Sequence, residues 1–134
     1  MSSSKDIETL LKMQVVAVVG CSPKAGRPSN RVASYLMDAG YRVIPVNPGC
    51  EEVLGERCYP DLAVVPDPVD VVLVFRRAEF VPEVARQAAA KGSKGLWLQT
   101  GVSHPAAERQ ARESGMIVVA DECFMSQHLS RMGR

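Results

Sequence analysis

Five short apolar runs divide the chain: 15–20, 42–46, 71–75, 95–99 and 116–120. Valine, isoleucine and leucine dominate them, and turn residues close them. A continuous apolar run of this length reads as a strand buried on both faces, the kind found in parallel sheets covered by helices. Between the runs the apolar residues change spacing. Val32, Ala33, Tyr35, Leu36 and Ala39 recur at three- and four-residue steps, as do Val81, Val84, Ala85 and Ala88. Each set forms one face of a helix. The pattern predicts helices over 7–13, 30–39, 79–91, 105–113 and 121–131. Ser29 is the expected N-cap of the second helix and Gly40 its stop. Pro82 suits the first turn of the third, and His104 is expected to cap the fourth.

The segment 47–70 is the least regular. Pro48, Pro60, Pro66 and Pro68 punctuate it. A brief extended piece is expected near Glu52-Val53-Leu54, and a short helix near Tyr59 to Val64. No internal repeat is visible. Strands and helices alternate over the whole length, which predicts a Rossmann-like α/β fold. Its core is an open, doubly wound, mainly parallel five-stranded sheet with helices on both faces, forming one domain over residues 1–134.

Composition narrows the function classes. A chain of 134 residues with 46% hydrophobic content suits one core. The formal net charge of +1 argues against a nucleic-acid coat or a disordered acidic tail. No apolar run is long enough to span a bilayer. The polar start, Met1-Ser2-Ser3-Ser4-Lys5-Asp6, lacks the layout of a signal peptide, so the cytoplasm is the expected location. Cys21, Cys50, Cys58 and Cys123 show no C-x-x-C spacing. Neither a metal site nor a disulfide framework is expected from them, and they read as reduced, mostly buried thiols.

In open α/β sheets, ligands bind beyond the carboxyl ends of the strands, where the strand order reverses. That rule selects Gly20 to Ser29, Val46 to Pro48, Phe75 to Arg77, and Gln99 to Val102. In the first loop the dinucleotide pattern G-x-G-x-x-G/A is met by Gly20, Ser22 and Ala25, so only its first glycine is present. The loop leads into a helix N-terminus, whose free N–H groups favour an anion. Lys24, Arg27 and Arg31 surround it, and together they suggest a phosphate cradle. The second strand ends in Val46-Asn47-Pro48, without the acid that holds ribose hydroxyls in NAD sites. That fits a phosphorylated ribose, as in NADP or coenzyme A. Arg76 and Arg77 end the third strand, and guanidinium forks suit phosphate oxygens. Cys21 reads as a buried small residue in preference to an activated thiolate. Asp121, Cys123 and His128 cluster in sequence, but no nucleophile is expected there. There is no G-x-S-x-G elbow and no Walker A lysine, and no catalytic residue is assigned.

Several of these segments carry a family likeness. Ala17-Val18-Val19-Gly20-Cys21-Ser22, Arg27-Pro28-Ser29, Val43-Ile44-Pro45-Val46-Asn47-Pro48 and Val69-Asp70-Val71-Val72 with Val74-Phe75-Arg76-Arg77 resemble the small stand-alone CoA-binding proteins. Those in turn are similar to the CoA-binding domain of the succinyl-CoA synthetase α subunit. Trp97-Leu98-Gln99 with Gly101, and Asp121 with Cys123, extend the resemblance over nearly the whole chain. It implies phosphate contacts from Gly20, Ser22, Pro23 and Lys24; Cys21, Arg27 and Ser29 of the same loop are also expected among the cofactor-binding residues. It implies a nucleotide wall from Val46, Asn47 and Pro48, an adenosine side from Phe75, Arg76 and Arg77, and a fourth-strand contribution from Gln99 and Gly101. The synthetase loop is richer in glycine than Ser22-Pro23-Lys24. Nothing here matches the synthetase's phosphorylated histidine, which lies in another domain.

The expected function is non-catalytic binding of coenzyme A or an acyl-CoA through its 3′-phospho-ADP part. No nucleic acid or membrane partner is expected, and a protein partner stays open. The rivals are an NAD(P)-dependent oxidoreductase and a nucleotide-sensing regulatory subunit that docks on another protein.

Overall fold

The computed structural model describes residues 3–132; Met1 and Ser2 of the polar start, and Gly133 and Arg134, lie outside the described residues. Helix α1 (Ser4–Leu11) begins three residues before the predicted start, because the Ser3 hydroxyl caps it, accepting from Asp6 N at 3.0 Å. Strand β1 (Val15–Val19) follows, then α2 (Pro28–Asp38) and β2 (Arg42–Val46). The irregular segment holds a two-stranded antiparallel hairpin, β3 (Glu52–Val53) and β4 (Glu56–Arg57), and a 3₁₀ turn at Leu62–Val64. Then come β5 (Val71–Val74), a 3₁₀ turn at Ala78–Phe80, α3 (Val81–Ala90), β6 (Gly95–Leu98), α4 (Pro105–Glu113), β7 (Ile117–Val119) and α5 (Phe124–Arg131). β4 has no counterpart in the sequence reading. It carries two exposed charged residues and exists only as the partner of β3.

The main sheet has the order β2-β1-β5-β6-β7, and all four pairings are parallel. Both faces are covered. Val16, Val18, Leu73 and Trp97 pack under α1, α2 and α5, while Ala17, Val19, Val72, Leu96 and Leu98 pack under α3 and α4. Successive side chains of a strand point to opposite faces. Two apolar faces therefore require an unbroken apolar run, and that is the pattern the sequence carries. Pro45 is tolerated because β2 is the edge strand, where its missing N–H removes no bond to β1. The outer side of β2 is covered by Tyr59, which donates to Pro45 O and accepts from Asn47 N.

The chain leaves β1 toward β2 on one side and returns to β5 on the other. The order thus reverses between β1 and β5, which opens a crevice at their carboxyl ends. Two predicted helix starts need correction. Arg27, not Ser29, is the N-cap of α2. Pro28 has the fixed φ that suits the first helical position, and Ser29 lies inside the first turn with its hydroxyl engaged elsewhere. α5 starts at Phe124 instead of Asp121, whose φ of 59° is incompatible with a right-handed helix.

Candidate functional site

The crevice begins at Gly20. Its φ is 88°, and a Cβ there would lie 3.0 Å from both Phe75 O and Arg76 Cγ. A side chain is excluded by conformation and by space, so the end of β1 runs directly against the end of β5. Gly20 N and Cys21 N both donate to Val46 O, at 2.8 and 3.2 Å, and Asn47 Nδ2 donates to Cys21 O at 2.9 Å. The ends of β1 and β2 are thereby tied together.

The loop after Gly20 is fastened to α2 from within. Ser22 N donates to Ser29 Oγ at 2.9 Å, Asn30 Nδ2 donates to Ser22 O at 2.9 Å, and Lys24 N donates to Ser22 Oγ at 3.1 Å. Arg31 donates to Gly26 O. Ser29 and Asn30, which order the loop, are buried and Ser22 is half-buried, while residues 23–28, including Pro23, Lys24 and Arg27, are exposed. No side chain caps α2, and its first turn holds no acid. α3 and α5 likewise lack a side-chain cap, whereas Ser3 caps α1 and His104 caps α4, its Nδ1 accepting from Ala107 N at 3.1 Å. An uncapped first turn keeps N–H groups and the positive dipole end available to an anion.

Three cavities lie side by side along the strand ends. The first, about 190 Å³, is lined by apolar residues including Val19, Val46, Leu62 and Val84, with Asp61, Glu83 and Gln87 at its polar edge. The second, about 330 Å³, lies between Gly20, Asn47, Pro48 and the two arginines. The third, about 490 Å³, runs past Pro28 and Phe75 to Gln99, Thr100, Gly101 and Val102. Arg76 borders all three. Its guanidinium lies 3.8 Å from the centre of the Phe80 ring, with Arg77 at 5.7 Å from the same ring. Neither arginine is in an ion pair among the described residues. Stacking fixes the plane of Arg76 and leaves its fork of donors unspent.

The fourth strand end is held by its neighbours. The Gln99 amide oxygen accepts from Phe124 N at 3.2 Å, and Asp121 Oδ1 accepts from Gly101 N at 2.6 Å. Gln99 is 8% exposed, so its amide mainly positions the start of α5. Cys21 is fully buried, and burial, then the nearby Cys50, pushes its thiol up to about 11. Its backbone N–H and C=O are both used within the fold, in keeping with the buried reading. Cys123 behaves differently. Burial disfavours its thiolate, yet hydrogen bonds from Ser126, Gln99 and Met125 outweigh burial and lower its pKa. His128 is not its partner, because its Nδ1 is 2.6 Å from the Tyr35 hydroxyl.

The tertiary structure therefore gathers Gly20, Val46, Asn47, Pro48, Phe75, Arg76, Arg77, Gln99 and Gly101 around one groove. Lys24 and Arg27 stand exposed beside it, and the Cys21 and Ser29 side chains turn into the protein. The end of β2 carries no acid, but the groove as a whole is not free of them. Asp61 and Glu83 reach its first cavity from segments far along the chain. Each already accepts bonds, Asp61 from Ala63 N and Glu83 from Arg86 and Gln87. Sequence reading also missed Leu62, Phe80 and Gln87. Phe80 carried the one usable signal, an aromatic residue three positions after an arginine pair.

The crevice, the uncapped α2 start and the two arginines lie on a domain of the Rossmann-like α/β class. The sequence profile of the CoA binding domain matches residues 14–128, and the chain belongs to that family. YneT, an uncharacterised protein of Bacillus subtilis (strain 168), is 36% identical over 121 residues, covering 90% of each chain. ADP-forming acetate–CoA ligase II of Archaeoglobus fulgidus is 36% identical over 92 residues; that stretch covers 67% of this chain and only 14% of the ligase. A hypothetical protein from Pyrococcus horikoshii OT3 superposes with a TM-score of 0.93 at 40% identity, over 98% of this chain and 93% of that one. A Thermus thermophilus protein, cell-free ID.343, superposes at 0.89 with 34% identity, over 96% and 98% of the respective chains. No described helix is long and apolar enough to cross a membrane.

Proposed function

We propose that this protein binds coenzyme A, free or acylated, through the 3′-phospho-ADP part, and that binding by itself is its biochemical activity. The observation that carries this reading is the groove centred on Arg76, in a chain of the CoA-binding family. The first cavity suits adenine: its walls are apolar, and Asp61, Glu83 and Gln87 match the ring's polar edge. The uncapped start of α2, beside Gly20 and Ser22, receives the diphosphate. Arg76, Arg77 and Lys24 supply positive charge for the three phosphates. The third cavity, past Gln99 and Gly101, leads the pantetheine arm away from the sheet. The site residues are those gathered around the groove, together with Ser22, Pro23, Lys24 and Arg27 of the loop, while Cys21 and Ser29 act by shaping it.

Asp61 and Glu83, the two carboxylates that line the groove, are already engaged with Ala63, Arg86 and Gln87, which favours a binding module over an enzyme. The test is a thermal-shift panel with CoA, acetyl-CoA, NADH, NADPH and ATP. CoA and acetyl-CoA are expected to stabilise the fold, by about 2.7 kcal/mol at a hundredfold excess over Kd. A flat melting temperature across a wide CoA titration, or a shift with NADH alone, overturns the proposal.

A further inference from the structure

Cys50 and Cys58 flank the small hairpin, and their sulfur atoms lie 3.5 Å apart. The ladder produces this approach, since Cys58 N donates to Glu51 O at 2.8 Å and so faces the neighbour of Cys50. The turn consists of Leu54 and Gly55, with φ of 54° and 80°, a two-residue reversal that fixes the register. Both cysteines are free thiols, Cys50 half-buried and Cys58 buried. Cys58 Sγ also reaches Asn47 O, at 3.6 Å. Thiol–disulfide exchange requires one reachable sulfur and a second in contact with it to resolve the adduct. Both conditions are met here.

We propose that Cys50 and Cys58 form a reversible dithiol–disulfide pair that is oxidised by low-molecular-weight disulfides. Cys50 loses its proton to solvent and attacks one sulfur of, for example, oxidised glutathione. The small disulfide breaks, and one glutathione leaves as a thiolate that takes up a proton. Cys58 then loses its proton and attacks the Cys50 sulfur of the mixed disulfide, releasing the second glutathione. Two protein thiols are oxidised and one small disulfide is reduced to two thiols, with no further reactant. Burial, then contact with Cys50, pushes the Cys58 thiol up to about 12, which leaves the first attack to Cys50. The product closes the hairpin into a covalent ring beside Asn47, at the carboxyl end of β2. The inference stands independently of what the groove binds.

Trypsin makes the test direct, because Arg57 separates the two cysteines. The reduced full-length protein is incubated with oxidised glutathione, alkylated, digested and analysed by mass spectrometry. The expected product is peptide 43–57 joined to peptide 58–76, released by dithiothreitol. The oxidised protein should melt roughly 5 °C higher than the reduced one. Cys58→Ser should stop at a glutathione adduct on Cys50, and Cys123→Ser should still yield the joined peptides. Should Cys58→Ser fail to fold, the wild-type time course serves instead, with the Cys50 adduct preceding the joined product. Separate stable adducts on both cysteines, pairing of Cys50 with Cys21, or complete alkylation after prolonged oxidation overturns the proposal.

Discussion

At the amino ends of β1 and β5, the Asp70 carboxylate accepts from Gln14 N and Val15 N, at 3.2 and 2.9 Å. The same residue's carbonyl accepts from Lys94 N and Gly95 N at the start of β6. The Tyr41 hydroxyl donates to Leu11 O nearby. At the carboxyl ends of the same strands, α2 has no side-chain cap and the arginines lie on Phe80 without a carboxylate partner. The amino rim spends these groups on the fold, whereas the carboxyl rim mixes spent groups, such as Asn47, Gln99 and Asp121, with two arginines in no ion pair among the described residues. Arg76 is half-buried and Arg77 exposed, so their donors face solvent; under the proposed function the phosphate oxygens of the ligand replace that solvent.

Substitutions at the two rims should therefore separate stability from binding. The largest effect is expected from Gly20→Val, which meets the end of β5 and adopts a φ that branched residues avoid. It should lose CoA-induced stabilisation and cost about 3 kcal/mol in chemical denaturation. Asp70→Ala should act on one side of the comparison only. It strands two backbone donors, for a loss of about 2 kcal/mol, while Kd for CoA by calorimetry stays unchanged. A weakened Kd in that variant would break the contrast. Arg76→Ala should show the reverse: CoA affinity falls about tenfold, and unfolding changes by under about 1 kcal/mol.

The smallest effect concerns alkaline pH. Burial comes first among the causes that raise Cys21 to about 11 and Cys58 and Tyr41 to about 12. Their protonated forms are favoured by the fold, so this stability is complete below the ordinary thiol value of 9. It is lost as pH rises through 11 to 12, because the unfolded chain ionises first. Melting temperatures of the reduced protein should fall steadily above pH 9, and Cys58→Ser should flatten part of the decline.

The strands were legible because burial on two faces leaves an unbroken apolar run, as in Val15–Val19 and Val71–Val74. Helix α4 was legible to the residue, since Pro105 and His104 mark its start and Ser114-Gly115 its end. The starts of α2 and α5 were misplaced where a contact outside the helix overrode a capping preference: Ser29 holds Ser22 of the preceding loop, and Asp121 holds Gly101 of the neighbouring strand end. Family membership also came through, because it rests on short motifs at strand ends that do not require knowing what faces them.

By itself, the sequence determined the layers of this protein, its strand-end loops and the basic character of the first of them, since these follow from local spacing and residue type. Only the tertiary structure decided that Asp61, Phe80 and Glu83 join Gly20 and Arg76 in one groove, and that Cys50 meets Cys58. Such meetings depend on strand order and hairpin register, which are set by packing between segments distant in the chain.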